Sequence, residues 1–339
     1  MVLLRDYTTL RIGGEARNFI EVSTPMEFLD AVIEIDAQDS GPVMLIGGGS
    51  NMIVSDEGWH GTVIHISTHG IDIDRDGNTV LLTAAAGENW DDLVSLTLEN
   101  GWSGLEALSG IPGTVGGTPI QNVGAYGSDV SRTIAAVEVF DRVTRATEQW
   151  PAARCQFSQR RSIFKRNSRF VVISATFRLA PGDVSAPIYF PALEKALGIP
   201  RGDCVPIAHV RKAVLDLRND RGMVLDSKDH DTWSTGSFFL NPILQSADGL
   251  PGDKYLMPDG QVKVSAASLI RGAGFDLGYR LPGSGVSLSR KYWSAITNRG
   301  SGTAQEVIAL ARQLKFGVSS TYGVILQPEP EFFGPNLDL

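Results

Sequence analysis

Apolar and polar residues alternate along this 339-residue chain at two spacings, one of strands and one of helices. Phe19 to Val22 reads as a short strand. Behind it Thr24 stands as a cap, with Pro25 in the first turn and Glu27 three residues after Thr24. Phe28, Ala31, Val32 and Ile35 then follow at helical spacing. PVMLIGGGSNMIVSDEGWHGTVIHI reads as strand, glycine turn, strand and strand, so the opening pattern is βαββ. In the usual dinucleotide fold the glycine turn opens directly into a helix; here GGGSN leads into the strand-like MIVS. LLTAAAG is extended, and NWDDLVSLTLENG is a helix closed by Gly101 after Asn100. AAVEVFDRVT and RFVVISATFRLAPG supply strands. PALEKALGI, the first half of AHVRKAVLDLRNDRGMVLD, and KVSAASLIRGAG supply helices. TAQEVIALARQLKFG is the clearest helix, with Thr303 as cap, Glu306 completing a capping box and Gly317 as its expected end. YGVILQPEPEFFG is expected to close the chain as a strand carrying acidic residues at its end. No repeat or low-complexity linker marks the domain boundaries, which the pattern puts near residues 66 and 210.

One stretch fits neither period. SGIPGTVGGTPIQNVGAYG, Ser109 to Gly127, is crowded with glycine, yet it carries Ile111, Val115, Ile120, Val123 and Tyr126. Linkers are polar. Glycine in an apolar run points instead to close approach, where a β-carbon would obstruct a neighbour or a ligand. GGGSN, Gly47 to Asn51, has two open readings: a tight strand-to-strand turn, or a nest of inward N–H groups that joins Ser50 and Asn51 around phosphate oxygens. No Lys-Ser or Lys-Thr pair follows, so it is not a P-loop. Pro112 and Pro119 stiffen the longer stretch, and Asn122 and Tyr126 add hydrogen-bonding groups. A flat heteroaromatic ligand with a pyrophosphate tail accounts for both loops, and flavin adenine dinucleotide (FAD) is such a ligand.

Composition narrows the rest. The length exceeds what one hydrophobic core serves, so two or three domains are expected. A hydrophobic fraction of 42% and a charged fraction of 20% describe an ordinary folded protein. The net charge of −8 argues against nucleic acid or an anionic membrane as partner. The run Arg160, Arg161, Lys165, Arg166 is locally basic. Two cysteines, Cys155 and Cys204, give neither a disulfide framework nor metal-ligand spacing, and a reduced cytosolic setting is expected. The start has no apolar region of signal-peptide length, and no stretch approaches a membrane span. DHDTW, Asp229 to Trp233, has a histidine flanked by carboxylates; the expectation is a solvated loop and no metal.

TTLRIGGEA, LIGGGSNMIVSDEGWHGTVIHI, SGIPGTVGGTPIQNVGAYG, CQFSQRRSIFK, TGSFFLNP and LQPEPEFFG occur in this order over nearly the whole chain. Together they resemble the UDP-N-acetylenolpyruvoylglucosamine reductase family (UDP-N-acetylmuramate dehydrogenases), and GMVLDSKDHDTWSTGSFFLNP looks like its actinobacterial, type I variety. The resemblance implies an α+β protein with a two-part FAD-binding region of the vanillyl-alcohol-oxidase (PCMH) type and a C-terminal α/β substrate-binding domain. The ranges are 1–66 and 67–210 for the two FAD-binding parts and 211–325 for the substrate domain, with a final strand over 326–339. It implies non-covalent FAD, held at its pyrophosphate by Gly47, Gly48, Gly49, Ser50 and Asn51. Ser109, Pro112, Gly113, Thr114, Gly117, Asn122, Gly124, Ala125 and Tyr126 would line the flavin. It implies NADPH as co-substrate, a UDP-sugar as substrate, a cytoplasmic setting and a monomer.

The implied reaction reduces the enolpyruvyl ether of UDP-N-acetylglucosamine to UDP-N-acetylmuramate. Such chemistry needs positive charge where an enolate-like oxyanion develops and a proton source for the carbon beside the carboxylate. By the resemblance, Arg160 grips the substrate carboxylate, a task suited to a guanidinium fork; Ser237 gives the proton; and Glu329, after the proline of the last motif, is the third catalytic group. Glu331, two residues on and so on the same face of a strand, is expected to be a solvated edge carboxylate. Tyr189, Arg218, Arg221 and Asn241 are the implied substrate contacts. Two positions depart from the pattern: Gln159 stands where many relatives have tyrosine, and Leu240 where many have lysine. Other readings are a flavin oxidase of the same fold, often with FAD attached covalently, or a non-catalytic nucleotide-binding module. His60, His65 and His69 match no attachment motif, and the joint presence of Arg160, Ser237 and Glu329 speaks against the module.

Overall fold

The computed structural model describes residues 1–38 and 41–339. The chain divides into two compact units, neither continuous in sequence. The first is Met1–Arg17, Gly49–His60 and Asp220–Leu339; the second is Asn18–Gly48 and Gly61–Asn219. Mixed helix and strand content agrees with the expected α+β class.

The second unit is built on an antiparallel sheet in the order Ala146–Pro151, Ile134–Asp141, Phe170–Pro181, Thr79–Ala85, Ile71–Asp76. The long strand Phe170–Pro181 has no clean alternation because both its faces are covered. Val171 and Ile173 go to one apolar cluster; Val172, Ala175, Phe177 and Leu179 go to another. A register shift against Glu138 and Val139, which skips Ile173, resets the parity between the two sets. The first cluster is closed by helix Pro25–Gln38 through Phe28, Val32 and Ile35. Thr24 and Glu27 form the reciprocal pair expected of its start, with Glu27 N–H to Thr24 Oγ1 and Thr24 N–H to Glu27 Oε2 both at 3.2 Å. The second cluster takes helix Trp90–Glu99, whose Trp90 ring lies 5.6 Å from that of Phe177. Helices Pro191–Leu197 and Ile207–Asn219 pack on each other through Leu193, Val210 and Val214. Strand Ile71–Asp76, missed by the sequence reading, has every residue exposed. It is an edge strand whose aspartates alternate with Ile71 and Ile73, both left exposed, so its period-2 pattern marks no buried face.

The first unit gathers on helix Ala304–Tyr322. Val307, Ile308, Leu310, Ala311, Leu314 and Val318 form its buried stripe, against Leu269, Ile270, Phe238 and Phe239. The expected capping box is present: Glu306 N–H donates to Thr303 Oγ1 at 3.2 Å, and Thr303 N–H to Glu306 Oε2 at 2.9 Å. The expected end at Gly317 is wrong. The helix runs on to Tyr322 and closes at Gly323, whose φ is 68°. Gly317 serves another need, since a β-carbon there would lie 2.4 Å from Cε2 of Phe275.

Two further expectations are corrected here. The closing strand is Glu331–Phe333, paired in parallel with Met52–Val54, so Glu331 opens it and Glu329 lies outside it. Glu331 is half-buried, and its N–H donates to the Asn51 carbonyl at 3.0 Å. DHDTW is not a solvated loop. Asp231 is buried and pairs with Arg299 at 2.8 Å, while Asp229 pairs with Lys291 at 2.7 Å.

Candidate functional site

In the second unit the glycine-rich stretch is stitched by backbone bonds to segment 86–90, which leads from strand Thr79–Ala85 into helix Trp90–Glu99. Trp90 N–H donates to Gly113 O at 3.1 Å, Val115 N–H to Glu88 O at 2.9 Å, and Gly116 N–H to Ala86 O at 2.8 Å. The two glycine loops meet here. A β-carbon on Gly48 would lie 2.7 Å from the Cα of Gly113, and one on Gly47 would lie 2.3 Å from Thr114 Oγ1. Backbone against backbone, not ligand alone, therefore explains the glycine at position 48. Gly117 is different: a β-carbon there would meet nothing within 4 Å. The stretch is also not all loop, since Gly117–Gln121 makes a helical turn before Asn122 reverses at φ 41°.

Segment 157–165 then wraps onto this turn. Asn122 Nδ2 donates to Ser158 O at 2.9 Å, Ser162 Oγ to Ile120 O at 2.9 Å, and Lys165 Nζ to Gln121 Oε1 at 2.7 Å. Arg160, itself at φ 55°, directs its guanidinium to the carbonyls of Gly124 and Asn122. The arginine of the basic run is thus seated on the glycine-rich stretch through two carbonyls, which fix the orientation of its fork. Tyr126 packs edge-on against Phe190 at 5.6 Å. Next to that ring, Tyr189 is 60% exposed, with the guanidinium of Arg201 over its ring at 5.5 Å. Arg218 Nε donates to Gly110 O at 3.1 Å.

In the first unit three of the expected residues come together. Glu329 N–H donates to Phe238 O at 2.9 Å and Leu240 N–H to Gln327 O at 2.9 Å, which places Ser237 and Glu329 on neighbouring chains around the Phe239–Pro328 pair. Asn51 Nδ2 reaches Glu329 O at 3.4 Å. Ser50 and Asn51 make the turn into strand Met52–Val54, the strand that pairs with Glu331–Phe333. Asn241 Oδ1 accepts from Ala266 N–H at 2.9 Å at the start of helix Ala266–Gly272, so its oxygen is engaged and its Nδ2 remains the donor on offer. Arg221 lies over the ring of Tyr292 at 5.5 Å.

Sequence reasoning missed Asp91 and Arg211. Arg211 Nη1 and Nη2 pair bidentately with Asp91 at 2.7 and 2.9 Å, and Asp91 Oδ1 also accepts the Gly110 N–H at 2.6 Å. Burial pushes the Asp91 carboxyl up, but Arg211 and the Gly110 N–H outweigh it and hold the group below its ordinary value. Nothing in the sequence pairs positions 120 residues apart. The visible signal was only Arg211 and Arg218, seven apart on one helix and so on one face.

An FAD binding domain model matches residues 19–145, and a model described as UDP-N-acetylenolpyruvoylglucosamine reductase, C-terminal domain, matches residues 228–333. The chain is 46% identical to a UDP-N-acetylenolpyruvoylglucosamine reductase of Salinispora arenicola, over 96% of this chain and 93% of that protein. It is 45% identical to the protein of the same name in Thermobifida fusca, over 99% and 98% of the two chains. Among solved structures, the UDP-N-acetylenolpyruvylglucosamine reductase of Thermus caldophilus aligns over 98% of both chains with a TM-score of 0.66 and 25% identity. Glycine loops, acid strand and full-length likeness agree, and the chain belongs to the UDP-N-acetylenolpyruvoylglucosamine reductase family.

Proposed function

We propose that this protein reduces the enolpyruvyl ether of UDP-N-acetylglucosamine to UDP-N-acetylmuramate, with NADPH as reductant and FAD as cofactor, in peptidoglycan precursor synthesis. The observation that carries the reading is the likeness at 46% identity through 96% of the chain to a reductase of that name. The FAD-binding match over residues 19–145 supplies the cofactor half.

The residues present suit FAD. The N–H groups of Gly48, Gly49 and Ser50 donate to nothing among the described residues, which is the donor set that a pyrophosphate takes. The open space at Gly117 suits a flat ring. Gly47, Gly48, Gly49, Ser50 and Asn51 would hold the pyrophosphate. Ser109, Pro112, Gly113, Thr114, Gly117, Asn122, Gly124, Ala125 and Tyr126 would line the ring. When bound, FAD would supply the hydride-transfer chemistry between NADPH and the vinyl carbon of the substrate.

The chain's own part is charge and proton. Arg160 holds the substrate carboxylate, pre-oriented by the Gly124 and Asn122 carbonyls, and stabilises the enolate-like charge that grows there. Ser237 delivers the proton to the carbon beside the carboxylate. Glu329, tied by its backbone to Phe238, supports that transfer. Tyr189, Arg221 and the Asn241 amide bind the UDP portion, joined by the Arg218 guanidinium. No helix among the described residues is long and apolar enough to cross a membrane; the reading further places a monomeric enzyme in the cytoplasm.

The visible spectrum tests this. Purified protein shows a flavin band that NADPH bleaches under anaerobic conditions and the enolpyruvyl sugar nucleotide restores. A colourless protein that does not take up added FAD, or reduced flavin that the sugar nucleotide leaves bleached, rules the function out.

A further inference from the structure

The first glycine of the glycine-rich stretch is Gly110, and both backbone polar groups of that one residue are gripped from outside the stretch. Its N–H donates to Asp91 Oδ1 at 2.6 Å and its carbonyl accepts from Arg218 Nε at 3.1 Å. Gly110 itself sits at φ 70°, where other residues are strained. The acid is in turn fixed by the fork of Arg211, through Nη1 at 2.7 Å and Nη2 at 2.9 Å. Asp91 lies in the first turn of helix Trp90–Glu99, and Arg211 and Arg218 both lie on helix Ile207–Asn219. Two helices therefore clamp the peptide from which the ring-lining loop departs. Both partners are partly withdrawn from water, Arg211 at 20% and Asp91 at 31% side-chain exposure, so the pair is screened less than a surface ion pair.

We propose that Asp91 and Arg211 are positioning residues for FAD: they touch no reacting atom, but they set the entry angle of the loop that lines the flavin. The inference rests on the functional reading above and deepens it. Its physical basis is that a ring-binding loop transmits small errors at its root directly to the ring contacts, whereas a charge-assisted bidentate pair fixes both distance and plane. Asparagine at position 91 retains an acceptor for the Gly110 N–H but loses the charge that holds Arg211. Lysine at position 211 retains the charge but loses the fork.

The test is FAD binding to apo-protein, followed by flavin fluorescence, in wild type, Asp91→Asn and Arg211→Lys, with apo-protein melting and far-ultraviolet circular dichroism alongside. The FAD dissociation constant rises about tenfold or more in Asp91→Asn and by a smaller factor in Arg211→Lys. The absorption envelope of the bound flavin changes shape in both, and circular dichroism stays that of wild type. Asp91→Asn combined with Arg211→Lys weakens FAD no further than Asp91→Asn alone, because one contact is removed twice. Unchanged FAD affinity and an unchanged flavin spectrum in Asp91→Asn overturn the proposal. So does a variant that binds FAD normally when folded yet melts far below wild type, since that is a purely structural pair. If wild type takes up no FAD, the functional reading itself falls.

Discussion

Glu329 donates its backbone N–H to the carbonyl of Phe238 at 2.9 Å. This bond brings the residue after Ser237 beside the acid of the last motif, across 91 positions of chain, without either side chain taking part. Ser237→Ala therefore leaves the pairing in place, since position 237 contributes no bond to it. The expected outcome is a split between half-reactions: anaerobic bleaching of flavin by NADPH stays near the wild-type rate, while reoxidation by the enolpyruvyl sugar nucleotide slows by roughly 10²–10⁴-fold, the usual worth of a positioned proton donor. Stopped-flow absorbance measures both steps. Equal slowing of the two would remove Ser237 from the proton-transfer role.

Glycines at the two loops separate into those the fold needs and those a ligand needs. Gly48→Ala sets a β-carbon 2.7 Å from the backbone of Gly113, and backbone cannot step aside cheaply. Apo-protein is expected to lose about 1–3 kcal/mol, and FAD affinity falls with it. Gly117→Ala meets nothing within 4 Å, so the apo-protein melts as wild type while FAD binding weakens. Thermal melts with and without FAD read both. Equal melting of the two apo variants would show that the contact between loops costs nothing.

Acid gives the Asp91 clamp a separate signature. Burial raises the carboxyl's proton affinity, but Arg211 and the Gly110 N–H more than reverse it, so the folded value lies below the ordinary 3.8. The unfolded chain then binds a proton first as pH falls. The stabilisation is complete above about pH 4 and disappears as pH drops through the lower, folded value. Wild type should lose stability more steeply than Asp91→Asn as pH falls below about 4, so the two converge in acid. Urea unfolding at a series of pH values measures the gap, and a gap constant with pH would mean that the charge of Asp91 contributes nothing.

What could be read in advance follows from how local each cause is. The Thr303 and Glu306 box needs only four residues and is found where the pattern put it. So are the Thr24 and Glu27 pair, the strand after GGGSN and the helix over Trp90–Glu99. Asp231 looked solvated because its partner Arg299 lies 68 positions away. Arg218 was legible as a candidate nucleotide contact, but the carbonyl 108 positions back that its Nε holds was not. The acidic strand was misplaced because LQPEPEFFG contains two pairings, one to Phe238–Leu240 and one to Met52–Val54, which no alternation of apolar residues separates. The residue types of the site were legible; which of their atoms are already engaged was not.

The last helix allows a test of that distinction at one residue. Gly317 reads as a stop, yet it lies inside the helix, and Gly323 is the residue that ends it. By helix propensity alone, Gly317→Ala should stabilise by roughly 0.5–1 kcal/mol. The new methyl would instead lie 2.4 Å from Cε2 and 2.6 Å from Cζ of Phe275. That ring is 7% exposed and packed edge-on to Tyr279 at 4.9 Å, so it has little room to turn. The expected net result is a loss of about 1–3 kcal/mol. Gly323→Ala meets no neighbour but must hold φ at 68°, which costs about 1–2 kcal/mol. Phe275→Leu separates the causes: combined with Gly317→Ala it should cost less than the two single changes summed, because the shorter side chain vacates the clash, whereas with Gly323→Ala it should be additive. Urea midpoints of the five variants decide it, and a stabilised Gly317→Ala would show that the ring yields and that propensity governs this position.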